Sequence, residues 1–242
     1  MKQSMDPGSG AVTAVIGGLL GALLQLWLQL VYVDSAGLLS PWSLPEILTA
    51  ALTVVVIGLL VFFSFRCPKK TDYETSFPGF IPGAVGCIAA AAGILVSLFT
   101  GPGNRDGLQS IAYLLGWAAA ISLIVLAGYR FLGKRPFFLF PAILTLYFLL
   151  SLISEYRIWS AVPQIQNYLY PLLALLAMTL ATYHRTALVA DSGGFRPYLF
   201  FSRIALYFTC LALVCVQDYR YVFYLSMAIW LLTDAGWYRE AG

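Results

Sequence analysis

The chain has 242 residues, of which 60% are hydrophobic and only 10% are charged, and its mean hydropathy is +0.82. A water-soluble domain carries about 25% charged residues, so this composition excludes a soluble globular protein and indicates a chain that lies mostly in lipid. The net charge of +3 is small, and the sequence contains no basic patch large enough to bind nucleic acid. No nucleic-acid partner is therefore predicted.

The first ten residues, MKQSMDPGSG, are polar and contain a second methionine, Met5. We interpret residues 1–10 as a flexible segment that is either an expression remnant or an alternative start. The apolar run that follows, 11–33, is longer than the core of a signal peptide. It is therefore predicted to be a retained span, although the small residues Ser35 and Ala36 would permit cleavage.

Apolar runs of about 18 residues or more, long enough to cross a hydrocarbon core of roughly 30 Å, recur along the chain. Eight are found, at 11–33, 45–65, 79–100, 108–131, 136–154, 166–187, 197–217 and 221–238. The predicted fold is therefore all-α, a polytopic transmembrane helical bundle of eight spans in which 11–242 form a single domain. The alternative of seven spans would merge the last two runs and bury Asp218 and Arg220.

The lysines and arginines predict the orientation, because they concentrate in cytoplasmic loops. With the N-terminus inside, eleven of the fourteen fall on the cytoplasmic side. The other three, Arg105, Arg157 and Arg220, lie in separate outer loops. The distribution favours eight spans with both termini in the cytoplasm (N-in/C-in).

Similar segments in the two halves of the chain suggest a duplication. WSLPEI (42–47) precedes the second span and WSAVPQI (159–165) precedes the sixth. A four-plus-four repeat with halves 11–131 and 136–242 would be parallel, an arrangement found in transporters. The alternative is chance similarity between apolar spans, with Trp-Ser-x-Pro as an ordinary start of an interfacial helix.

Two longer stretches carry a resemblance. VDSAGLLSPWSLPEILTAAL (33–52) and YRIWSAVPQIQNYLYPLLALLAMTLATYHRTAL (156–188) resemble a family of multi-pass membrane proteins from Clostridia-type Firmicutes. The resemblance implies a location in the bacterial cytoplasmic membrane and implies no activity. The family's pattern has an acidic residue before the proline of the second stretch, where this chain has Val162.

Polar residues inside the bilayer are the first functional candidates, because burial in lipid is costly for them. Arg203 and Asp234 are predicted to lie at nearly equal depth in two adjacent antiparallel spans, and we expect them to form an ion pair or a water-bridged equivalent. The alternative is that Arg203 extends to lipid phosphate and Asp234 faces interfacial water.

Gln25 and Gln29 are four residues apart, so they share one face of the first span with Gly17 and Gly21. This pattern favours close helix packing with hydrogen bonds across the contact. The alternative is that the two glutamines line an outward-facing cavity.

Several polar residues are predicted at the outer surface, where they would form a vestibule above Gln29. They are Asp34, Glu46, Glu155, Arg157 and Gln164. The simpler interpretation is that Glu46 caps a helix N-terminus and that the others belong to solvated loops.

His184 and Arg185 end the sixth span on the cytoplasmic side, where cations suit a helix C-terminus and lipid headgroups. His184 is the only histidine, which excludes a His-rich metal site within the chain. No catalytic motif, cofactor motif or metal site is predicted.

Three classes of function remain open. The first is a protein that binds or transports a small molecule or lipid, alone or as a subunit of a larger complex or homo-oligomer. The second is a non-enzymatic membrane scaffold, sensor or assembly subunit. The third is an intramembrane enzyme acting on lipid headgroups, with Asp234 and His184 near the chemistry. The first class is favoured because glycine-rich spans with internal prolines are typical of transporters.

Overall fold

The computed structural model describes residues 8–32, 43–67, 73, 77, 79–101, 107–160, 168–216 and 220–235. Within these residues the chain is all-helical, as predicted. The helices are α1 (Gly8–Val31), α2 (Leu44–Arg66), α3 (Ile81–Thr100), α4 (Gly107–Leu132), α5 (Leu139–Trp159), α6 (Leu169–Val189), α7 (Phe195–Cys215) and α8 (Arg220–Ala235).

Seven of these helices, α1 to α7, are long and apolar enough to cross a membrane. The 16 residues of α8 are fewer than the roughly 20 that a span usually needs. Large apolar side chains cover the outer surface; Leu30 is 76% exposed, and Val54 and Phe99 are each 72% exposed. Such a surface matches lipid and not water, and the chain is therefore a multi-pass helical membrane protein.

Successive helices run in opposite directions, so each end of the bundle collects one set of termini. At one end the backbone N–H of Phe80 donates to the carbonyl of Arg130, which joins the start of α3 to the end of α4. At the same end Arg196 Nε donates to the carbonyl of Cys67 at 2.5 Å, which joins the start of α7 to the end of α2. We name this the arginine-rich end, because it holds Arg130, Arg135, Arg185, Arg196 and Arg203.

Helices α3 to α8 form a ring in which each helix packs on the next and α8 packs back on α3. The α1–α2 hairpin lies outside the ring, with α1 along α7. Of the seven membrane-capable helices, α7 is the most buried and α2 the least. The interior of the ring is consequently the place where a site shielded from lipid can form.

Small residues bring α3 close to α8. A Cβ atom added at Gly86 would collide with Thr233 Oγ1, and one added at Gly93 would collide with Ser226 Oγ. Absence of these side chains lets the two backbones approach, as small residues do between membrane helices. Gly86 and Gly93 thus form a packing surface on α3.

The neighbours of corresponding helices differ between the two halves of the chain. In the second half α6 packs along α7, whereas the corresponding pair in the first half, α2 and α3, makes at most marginal contact. The four-plus-four duplication stays a prediction, and so does the crossing of the membrane by α8.

Candidate functional site

A buried carboxylate lies at the centre of the arginine-rich end. Asp234 Oδ2 accepts hydrogen bonds from Arg185 Nη1 at 2.8 Å and from the Tyr198 hydroxyl at 2.5 Å. Asp234 Oδ1 lies 3.6 Å from Arg130 Nε. The side chains of the two ion pairs are at most 4% exposed, so each charge depends on its partners for stabilisation. We name Arg130, Arg185, Tyr198 and Asp234 the charge cluster; it joins α4, α6, α7 and α8.

Aromatic side chains close the charge cluster. The guanidinium carbon of Arg130 lies 4.8 Å from the centre of the Phe77 ring, and that of Arg185 lies 5.9 Å from the centre of the Trp230 ring. Both distances fall within the range of cation–π attraction. Tyr73 lies beside Arg185, and burial raises the pKa of its hydroxyl, which therefore stays neutral. Phe77 and Tyr73, two described residues between α2 and α3, thus cover the cluster.

The partners of Asp234 that the structure shows differ from the predicted one, Arg203. A water-bridged contact between Arg203 and Asp234 stays a prediction. Asp234 contacts Arg185 and Arg130, whereas Arg203 is fully buried at the contact with α1, where a Cβ on Gly10 would lie 2.5 Å from its guanidinium carbon. Five residues separate Tyr198 from Arg203, which at 3.6 residues per turn is a rotation of roughly 140°. The face of α7 that carries Tyr198 meets α8, and Arg203 points elsewhere.

The two residues predicted at lipid headgroups have different surroundings. Arg185 is 1% exposed and bound to Asp234, so the structure corrects its predicted contact with lipid. His184 is half-buried and stacks on Phe201, with ring centres 5.0 Å apart and an interplanar angle of 4°. A headgroup contact for His184 stays a prediction.

The glutamines of α1 hold that helix against the ring. Gln29 Nε2 donates to the carbonyl of Val214 at 3.2 Å. Gln25 is buried and lies within side-chain hydrogen-bonding reach of Tyr170. Glu46 lies near the same tyrosine. Gln25, Gln29 and Glu46 are absent from the linings of both clefts described below, and the packing interpretation of the glutamines accounts for their contacts.

A cleft of about 160 Å³ lies inside the ring at the end opposite the charge cluster. Five helices contribute to it, namely α3, α4, α5, α6 and α8. Its polar lining consists of Ser97, Gln109, Tyr113, Tyr147, Ser151, Ser154, Glu155, Arg220 and Tyr224. Its apolar lining includes Leu98, Leu175 and Phe223. Polar groups that converge in a pocket with apolar walls are typical of a small-molecule site.

An incompletely bonded ion pair lies in this cleft. Arg220 Nη2 is 3.4 Å from Glu155 Oε2, and both side chains are about one-quarter exposed. Glu155 Oε2 itself is buried and has no hydrogen-bond partner among the described residues. The Arg220 guanidinium lies 5.2 Å from the centre of the Trp159 ring, which in turn stacks on Tyr168. Stacking therefore fixes the arginine, while the carboxylate keeps acceptor capacity.

One residue that was predicted at the outer surface, Arg157, lies in the last turns of α5 near the cleft. Arg157 is exposed and lines a smaller adjoining cleft of about 110 Å³, together with Gln109 and Ser154. Gln164 lies outside the described residues, so its placement stays a prediction. Trp159, at the end of the same helix, is 3% exposed.

Packed apolar side chains separate the cleft from the charge cluster. Phe148 stacks on Trp230 with ring centres 6.4 Å apart, and Leu144 and Met227 are fully buried beside them. From Tyr224 in the cleft to Asp234 is ten residues along α8, or about 15 Å. The interior is thus open at one end and closed at the other.

Fold and site together define the class: a multi-pass helical membrane protein with a polar cleft at one end and a buried charge cluster at the other. Within the described residues, no group of three or more His, Cys, Asp or Glu side chains is placed to hold a metal ion. Comparison with protein-family models, with curated proteins and with solved structures finds no match for this chain.

Proposed function

We propose that the chain is a bacterial cytoplasmic-membrane protein that binds a small polar molecule in the cleft between α3, α4, α5, α6 and α8. The observation that carries the proposal is the convergence of Glu155, Arg220 and several hydroxyl groups in a space that holds several water molecules. Glu155 and Arg220 face this cleft at the end of the bundle, where a charged pair can contact a polar ligand or water.

Eight spans with both termini in the cytoplasm are part of this proposal. The 16 residues of α8 extend over about 24 Å at 1.5 Å per residue. This helix lies in the ring between α3 and α7 and carries Arg220 at one end and Asp234 at the other. A helix that reaches both polar ends of the bundle supports eight spans, and the distribution of lysine and arginine supports the orientation.

Transport of the bound molecule is the second candidate function. An alternating-access protein needs a binding site that is open at one end and closed at the other. The Phe148–Trp230 stack and the charge cluster provide the closed end. The scaffold alternative does not account for the cleft, and the enzyme alternative would need a site beside Asp234, which lines neither of the two clefts.

Cysteine labelling tests whether the cleft contains water and which way it faces. Ser151→Cys places a thiol in the lining of the cleft. Leu149→Cys places a thiol on the lipid-facing surface of the bundle, where Leu149 is 40% exposed. The four native cysteines are buried or half-buried, and the unsubstituted chain measures their background. We expect a charged, membrane-impermeant methanethiosulfonate reagent to modify the first variant in intact cells and to spare the second.

The outcomes separate the parts of the proposal. Equal rates for the two variants would contradict a water-filled cleft. Modification of Ser151→Cys in inverted vesicles but not in intact cells would preserve the cleft and reverse the orientation.

A further inference from the structure

We propose that the cleft recognises a zwitterionic ligand, with one protonated amine and one anionic oxyacid group a few bonds apart. This inference rests on the proposed function, since it names the ligand class of the same cleft. It is argued from three features of the lining: an incompletely bonded carboxylate, an excess of arginine, and hydroxyl groups on short side chains.

The Glu155 carboxylate can accept a further hydrogen bond. A tight charge-assisted hydrogen bond between nitrogen and a carboxylate oxygen spans about 2.7–2.9 Å, whereas Arg220 Nη2 stands 3.4 Å from Glu155 Oε2. A buried acceptor without a hydrogen bond carries an uncompensated desolvation cost. The one-quarter exposure of the Glu155 side chain leaves room for a ligand ammonium group to contact the carboxylate from the cleft.

The charges of the lining select against ligands with a single charge. The cleft and its adjoining cleft together present one carboxylate, Glu155, and two guanidinium groups, Arg157 and Arg220. A simple amine would be attracted by the carboxylate of Glu155 but repelled by the two guanidinium groups. A simple anion would gain the arginines and leave Glu155 Oε2 without a donor. A ligand that carries both charges matches both sets.

Neutral groups in the lining support the amine and limit the size of the ligand. The Tyr147 hydroxyl lies within side-chain hydrogen-bonding reach of Ser97 and Ser151, and these oxygens can accept from an ammonium group. Tyr113 and Tyr224 add aromatic rings of the kind that attract cations. A volume of about 160 Å³ fits a ligand with a short carbon chain between the two charges.

Two sources share this chemistry. A free amino acid carries an ammonium and a carboxylate, and the headgroup of phosphatidylethanolamine carries an ammonium and a phosphate. The adjoining cleft lies between the first turn of α4 and the last turns of α5, beside Ile158, which is 38% exposed. Ligand could therefore enter from water at the end of the bundle or from the lipid side.

The test uses the full chain in nanodiscs of phosphatidylcholine, whose headgroup lacks an N–H donor. Alanine and O-phosphoethanolamine are the zwitterionic probes, and ethylamine and acetate are the controls with one charge. We expect a zwitterionic probe to raise the thermal midpoint and to slow the modification of Ser151→Cys at concentrations at which both controls have no effect. Nanodiscs that contain phosphatidylethanolamine test the headgroup source: a raised midpoint without added probe identifies the lipid.

Glu155→Gln keeps the shape of the side chain and removes its charge. We expect it to weaken zwitterion binding about tenfold or more, the effect of losing one charge-assisted hydrogen bond. Glu46→Gln is the matched control, because Glu46 does not line the cleft, and its affinity should equal that of the parent chain. Protection of Ser151→Cys is measured in a chain that retains Glu155, so it decides the question even where Glu155→Gln does not fold.

Each remaining outcome overturns the inference. Equal protection by ethylamine and alanine would show that the charge of the amine alone is recognised. Labelling of Ser151→Cys that neither probe nor phosphatidylethanolamine slows would reject the zwitterion class and leave the water-filled cleft standing. Absence of labelling would reject the proposed function itself.

Discussion

Replacement of Asp234 by asparagine should destabilise the bundle strongly, because it removes the carboxylate that pairs with a buried guanidinium. Arg185 is 1% exposed and donates to Asp234 Oδ2 at 2.8 Å. Loss of one partner from a buried ion pair costs about 3–5 kcal/mol, since the other charge stays desolvated. We expect a loss of this size in the free energy of unfolding, measured by titration with sodium dodecyl sulfate and followed by far-ultraviolet circular dichroism.

A graded series makes this prediction specific. Tyr198→Phe removes one hydrogen bond to the same carboxylate and should cost about 1.5–3 kcal/mol, less than Asp234→Asn. Asp191→Asn is the matched control: Asp191 pairs with Arg135 at 2.7 Å, but its side chain is 70% exposed, and exposed pairs contribute about 0–1 kcal/mol. If Asp234→Asn destabilises no more than Asp191→Asn, the charge cluster does not hold the arginine-rich end together.

Two further substitutions test the helix contacts. Gly86→Leu should lower the free energy of unfolding by about 1–3 kcal/mol, because the added side chain collides with Thr233. Gly58→Leu is the control, since a Cβ there meets no atom within 4 Å. Equal effects of the two substitutions would contradict the close approach of α3 and α8. Gln29→Leu removes the 3.2 Å hydrogen bond to Val214 and should cost less than about 1.7 kcal/mol, the upper end for hydrogen bonds between membrane helices; a larger loss in the same unfolding titration would show that Gln29 does more than pack.

The positions of the seven membrane-capable helices among the described residues were predictable, because an apolar run long enough to cross lipid has few other structures open to it. The ends of helices were less predictable, and one of them matters for function. The fifth span was predicted to end at 154, where the apolar run stops, whereas α5 continues to Trp159. Glu155 and Arg157 consequently project from helical turns.

The cleft left a weak signal in the sequence. Tyr147, Ser151 and Glu155 follow one another at intervals of four, which places them on one face of α5. That spacing was visible, but the partners from α3, α4 and α8 come from distant parts of the chain and no local pattern joins them. Sequence predicted that Glu155 and Arg157 lie at the same level, and it could not predict that Arg220 would meet Glu155.

The partners within the charge cluster were also not predictable from the sequence. Counting residues from a span boundary gave the depth of Asp234 and Arg203 but not the direction in which either side chain points. Rotation about a helix axis is set by packing against all neighbours, and α7 has four neighbours, α1, α2, α6 and α8. Arg185, which binds Asp234, lies on α6, a helix that is not adjacent to α8 in the ring and meets it here through a long side chain.

One helix joins the two polar regions, and this constrains how the protein can work. Arg220, Tyr224, Trp230 and Asp234 lie on the face of α8 that points into the ring, from the cleft to the charge cluster. A helix of 16 residues is stiff, so a ligand that shifts Arg220 acts on the same rigid element that holds Asp234. Gly86 lets α8 lie directly against α3, and the ion pairs of Asp234 hold the same helix at the arginine-rich end. The binding proposed for the cleft would therefore act on the same helix that carries the ion pairs of the arginine-rich end.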